Sequence, residues 1–169
     1  MKLCTFVITL HLLAIAGVAQ QPPPREWIDP DTGHRVIRLS EEPGSASLYF
    51  HQNPYTPDGQ KLIITTPNGL SAINLRTRAI EKIVDGRVSV IIVGRKSGDV
   101  YYTRTVTDNN DRQTTVYATN LNTKATREIV KLPPAASVSS VNADETLLAG
   151  LIDDKLAAAA TASGGVKLD

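Results

Sequence analysis

Residues 49–84 read YFHQNPYTPDGQKLIITTPNGLSAINLRTRAIEKIV, and this stretch decides the fold. Turn-forming residues punctuate it three times: Asp58-Gly59, Pro67-Asn68-Gly69 and Arg76-Thr77-Arg78. Between them lie apolar and β-branched runs, the clearest being Leu62-Ile63-Ile64-Thr65-Thr66. Gly, Asn and Asp accept turn dihedrals, and β-branched side chains fit a pleated surface, so the pattern predicts three or four short antiparallel strands.

Working outward, the same pattern returns. Ala72-Ile73-Asn74-Leu75-Arg76-Thr77-Arg78-Ala79 aligns with Ala118-Thr119-Asn120-Leu121-Asn122-Thr123-Lys124-Ala125, and Ile83-Val84 with Ile129-Val130. A third copy lies upstream in Asp29-Pro30-Asp31-Thr32-Gly33-His34-Arg35. A second element keeps the beat: Asp58-Gly59-Gln60-Lys61-Leu62 corresponds to Ser97-Gly98-Asp99-Val100-Tyr101 and to Asp144-Glu145-Thr146-Leu147-Leu148. A strand-built period of about 45 residues is the size of a four-stranded propeller blade.

The expected fold is therefore all-β, an incomplete β-propeller of about three blades with TolB- or WD40-like repeats. Blade A covers 47–85, blade B 88–132, and 137–152 begins blade C. Residues 27–39 are expected to act as a strand completing a last blade. Within blade B, Thr107-Asp108-Asn109-Asn110-Asp111-Arg112 is expected to be a long hairpin loop. Propellers close with about four to eight blades, more than this length supplies. The chain accordingly reads as the N-terminal part of a larger protein or a truncated product. Its open edges invite self-association.

The flanks are different in kind. Residues 1–19 have Lys2, then an apolar run, then Gly17 and Ala19 before the predicted cut, which is the layout of a secretory signal peptide. The run is shorter than the ~20 apolar residues of a membrane span. The product is expected to be periplasmic or secreted with no stable membrane anchor, and the only cysteine, Cys4, leaves with the peptide. Residues 20–26 form a proline-rich leader and 153–169 a low-complexity tail. A net charge of +1, from 18 basic and 17 acidic side chains, gives no field for nucleic acid.

Three motifs in order carry a family resemblance. They are Asp29-Pro30-Asp31-Thr32-Gly33-His34-Arg35, then Pro43-Gly44-Ser45, then Tyr49-Phe50-His51-Gln52-Asn53 leading into Thr56-Pro57-Asp58-Gly59. Together they resemble the opening of the oligogalacturonate lyases, seven-bladed propellers that degrade pectin fragments. The likeness runs over about 27–152. It implies β-elimination on oligogalacturonate: a base takes the proton α to a uronate carboxylate and a divalent metal, manganese, stabilises the resulting charge. The family's metal site uses three histidines and a glutamine on later blades. Beyond residue 19 this chain has only His34 and His51, so the manganese ligands are not in it and no catalytic or metal residue is carried over.

For substrate contact the sequence offers His51, Gln52 and Asn53, expected on or near the innermost strand of blade A, where a propeller's channel opens. His34 reads as an exposed turn residue, and Arg95 and Arg104 as surface arginines able to hold an anionic sugar. The oxygen-rich Asp108-Asn109-Asn110-Asp111 lacks the ligand alternation of a calcium loop. A non-catalytic TolB-like module that binds protein or carbohydrate is the alternative to the lyase.

Overall fold

The computed structural model describes residues 23–109 and 111–152. The stretch read as a signal peptide, with Cys4, the start of the leader and the tail, lies outside the described residues. The chain divides into two units, 1–38 and 39–169, each described here by itself.

In the first unit, β1 (Glu26–Ile28) and β2 (Arg35–Ile37) pair antiparallel, with Trp27 opposite Val36. The expected single strand over 27–39 is thus a hairpin. Its turn is set by Asp29, whose Oδ1 accepts from Thr32 N at 2.8 Å and Thr32 Oγ1 at 2.7 Å. Those bonds, from the Thr32 side chain first, hold the Asp29 carboxyl below its ordinary range.

The second unit is entirely antiparallel. β3 (Ala46–Ser47), β4 (Lys61–Thr66), β5 (Gly69–Asn74) and β6 (Ile80–Asp85) form a first sheet in chain order. A 3₁₀ turn at Phe50–Gln52 interrupts the link from β3 to β4. A second four-stranded sheet, again in chain order, holds β7 (Ser89–Val93), β8 (Asp99–Asp108), β9 (Asp111–Asn120) and β10 (Thr126–Lys131). β11 (Ser137–Val141) and β12 (Leu148–Leu151) form a two-stranded third.

The expected loop at 107–112 is shorter, because strand pairing runs to Asp108 and resumes at Asp111. Thr107 lies opposite Arg112 and Asp108 opposite Asp111. The ribbon stays zipped through a cross-strand contact of Thr105 and Thr114 hydroxyls at 2.9 Å. A polar run can pair this way because threonine favours the pleat and bonds across it.

Period-2 patterning sorts each strand's side chains between two faces. From the first sheet, Ile63, Leu70, Ala72 and Val84 meet Val93, Val100, Tyr102 and Leu121 of the second. The second sheet's other face carries Ile91, Tyr101, Val116 and Ala118 towards Val141 of the third. The core therefore lies between consecutive sheets, and a side chain such as fully buried Ile63 contributes about 2 kcal/mol by leaving water.

One turn geometry recurs. Asn74 Oδ1 accepts from Arg76 N at 3.0 Å and Thr77 N at 2.8 Å; Asn120 Oδ1 accepts from Asn122 N at 3.1 Å and Thr123 N at 3.0 Å. Asp29 does the same for Asp31 and Thr32. Each turn closes on a left-handed residue, Gly33 at φ 70°, Arg78 at 61° and Lys124 at 60°. A short side-chain acceptor two and three residues ahead of its donors is the Asx turn, which offsets the left-handed strain.

Candidate functional site

The 3₁₀ turn after β3 carries all three residues expected at the site. His51 and Gln52 lie in the turn and Asn53 at its end, directly after β3, so they stand near a strand and not on one. Pro54 and Asn53 end it at once; Asn53 is left-handed, at φ 45° and ψ 84°. That conformation is costly for a residue with a Cβ and persists only where surrounding bonds impose it.

Those bonds are visible. Tyr49 N donates to Gln52 Oε1 and Gln52 N to Tyr49 O, each at 2.9 Å. Gln52 Nε2 donates across to Val90 O of β7 at 2.6 Å, and Asn53 Nδ2 to Val93 O at 3.3 Å. Two of the three expected contact residues therefore tie the turn to the next sheet. His51 has no such tie and is exposed.

Around His51 stand two side chains the sequence reading passed over. Tyr49 and Phe50 pack at 4.5 Å between ring centroids, Tyr49 and His51 at 5.2 Å, and Phe50 and His51 at 5.7 Å. Phe50 is 80% exposed and Tyr49 62%. Among the described residues, neither the Tyr49 hydroxyl nor the His51 ring has a hydrogen-bond partner. The available signal was composition: three consecutive ring-bearing residues, held by two amides, just ahead of a turn.

The other candidates are engaged or isolated. Arg104 Nη2 donates to Asp85 O, joining the second sheet to the first. Arg95 is exposed, as is His34 in the hairpin turn of the first unit. Asp108 and Asp111 face each other across the ribbon. A cleft of about 240 Å³ lies between Thr56, Asp58, Lys61, Lys96 and Asn122. Its Lys61 already faces the Glu81 carboxylate at 3.7 Å, and Asp58 is held ionised below its ordinary range by the Thr56 hydroxyl first and Gln60 N next. Carboxylates thus answer the positive charge there. Among the described residues, no three His, Cys, Asp or Glu side chains converge as metal ligands would, and no helix is long and apolar enough to cross a membrane.

The division of labour in the turn is testable by stability. Gln52→Leu strands the half-buried Val90 carbonyl and unties the turn, so unfolding free energy in urea should fall by about 1 kcal/mol. His51→Leu, at an exposed ring, should stay within about 0.5 kcal/mol of the parent. Equal losses would mean that the β7 ties are not what holds the turn.

Searches against protein-family models, curated proteins and solved structures found no match for this chain.

Proposed function

We propose that the successive sheets are blades of a TolB-like β-propeller, and that the protein is an exported member of the oligogalacturonate lyase group acting on short galacturonate oligomers. The observation that carries the proposal is the ordered set of three motifs, each with a local geometric role. Asp29 to His34 form the first Asx turn, Gly44 turns the chain at φ 80°, and Tyr49 to Asn53 form the pinned aromatic turn. The recurrence of the Asx turn at Asn74 and Asn120 supports blades, as does a core that lies between sheets rather than within one. Blades stacked face to face around an axis need that arrangement.

The reaction would be β-elimination. A base removes the C5 proton α to the uronate carboxylate, the C4–O bond breaks, and the leaving sugar oxygen takes up a proton. The manganese that the resemblance implies finds no fit among the described residues, where no three potential ligands converge. What the chain's own residues supply is binding, with Gln52 and Asn53 positioning the turn that bears His51.

A second reading, a carbohydrate-binding propeller without turnover, is favoured by the aromatic turn itself. It offers exposed ring faces with hydrogen-bonding groups beside them, which suit the binding of a sugar. One experiment separates the two. The chain is incubated with digalacturonate and manganese, and the ultraviolet absorbance of the unsaturated uronide is followed. A rise supports the lyase. Calorimetric binding without a rise supports the binding module, and neither signal from folded protein sinks both.

A further inference from the structure

We propose that Tyr49, Phe50 and His51 form a stacking platform for one galacturonate ring, with Gln52 and Asn53 as its positioning residues. The proposal rests on the functional reading above and names the part of the chain that meets the sugar. Three observations lead to it. First, Phe50 is 80% exposed and Tyr49 62%, whereas Tyr101 and Tyr102 of β8 are buried. Exposing adjacent aromatic rings loses the burial they would gain in a core.

Second, the rings are held, not loose. The Tyr49–Gln52 backbone and side-chain bonds close the turn, and Gln52 and Asn53 tie it to Val90 and Val93 of β7. Asn53 is kept left-handed to do so. A surface that is ordered before binding gives up less freedom on binding.

Third, the exposed chemistry is mixed. Phe50 offers an apolar face, while the free Tyr49 hydroxyl and His51 ring N–H sit at its side. A galacto-configured pyranose matches this pattern. Its C3–H, C4–H and C5–H bonds lie on one side and present weakly positive hydrogens to a negative ring face. Its hydroxyls and C6 carboxylate project from the edge, where a hydroxyl and an imidazole N–H can donate to them. A flat protein partner would need no such alternation. Neutral and acidic sugars share the stacking face and differ only at C6, so His51 is assigned to the carboxylate.

The test is calorimetric titration of the full chain with digalacturonate and with the corresponding neutral galactose disaccharide. Phe50→Ala should weaken both by about fivefold to tenfold, the loss expected for one aromatic face. Phe50→Leu, which keeps apolar area without the ring face, should lose nearly as much. His51→Leu should weaken digalacturonate and leave the neutral sugar unchanged, and His34→Leu should change neither. Circular dichroism and the thermal midpoint should stay at parental values, because all three side chains are exposed. If the parent binds digalacturonate and Phe50→Ala binds equally well, the platform is overturned while the functional reading stands. If the parent binds neither sugar, both fall. Sedimentation that shows a dimer dissolved by Phe50→Ala also overturns the platform, since the face would then cover a second copy.

Discussion

Gly69→Ala is expected to lower the unfolding free energy of the second unit by about 3 kcal/mol. Gly69 opens β5 at φ 132°, a backbone conformation that L side chains rarely adopt. A Cβ there would lie 2.0 Å from Val84 O and 3.1 Å from Gly86 O, both backbone atoms. No rotamer relieves that contact, so the end of β6 must move. It cannot move freely, because Gly86 N donates to Asn68 O at 2.9 Å and the β5–β6 register already shifts beside Leu70. Leu70 and Val84 face the second sheet, so displacing β6 opens the inter-sheet core as well. Gly59→Ala is the control. Gly59 is left-handed at φ 66°, but a Cβ there meets nothing within 4 Å. It should lose only the conformational preference, about 1 kcal/mol. Urea unfolding followed by circular dichroism compares the two directly. Equal losses would mean that β6 yields to the methyl group, and that the first sheet is softer at this edge than its packing implies.

What the sequence shows of this fold is the part encoded locally. The Asx turns are legible because donor and acceptor lie two or three residues apart, so Asn74 and Asn120 announce themselves with their threonines at a fixed offset. The strands are legible because β-branched runs such as 62–66 sit between turns. The β8–β9 ribbon was misread because Asp108 to Arg112 look like solvent loop; its pairing depends on threonines further down the strands, opposite one another only once the register is set. In the candidate site the failure has a different cause. Gln52 and Asn53 present free amides in a sequence, and their acceptors, Val90 and Val93, lie 38 and 40 residues away. Polarity signalled that these residues matter without saying whether to a ligand or to a carbonyl. Tyr49 and Phe50 carry no local signal of exposure in the sequence; the turn's direction exposes them.

Glu145 illustrates the same limit and gives the second large effect. In sequence it aligns with Gly59 and Gly98 at the same turn position. It does share their left-handed backbone, at φ 59° against 66° and 71°. Yet its side chain reaches from the third sheet to the corresponding turn of the second. Oε1 accepts from Lys96 N at 2.7 Å and Ser97 N at 3.2 Å, and Oε2 from the Ser97 hydroxyl and from Tyr101 Oη at 3.2 Å. Gly94 makes room, since a Cβ there would stand 2.6 Å from the carboxylate. Successive backbone N–H groups aimed at one carboxylate make a small anion nest. Burial alone pushes the Glu145 carboxyl up, but the bonds from Ser97 and Lys96 outweigh it and hold the group below its ordinary range. The folded value is thus the depressed one. The stabilisation is complete above the unfolded carboxyl's pKa, about 4.3, and is lost as pH falls through the lower folded value. Glu145→Gln keeps the shape and removes the charge. At neutral pH it should lower stability by about 1–2 kcal/mol, a figure kept modest because Lys96 and Ser97 are exposed enough for water to replace the acceptor. As pH falls from about 4.3 through the lower folded value, parent and variant should converge, since the parent loses the same charge. Amide exchange gives the local readout: the Lys96 and Ser97 N–H groups should exchange faster in the variant while those of β4 and β5 do not change. Uniform acceleration across both sheets would mean that Glu145 contributes to global stability without clasping one sheet to the next. In that case the third sheet is held to the second by the apolar cluster that contains Val141, Ile91 and Tyr101.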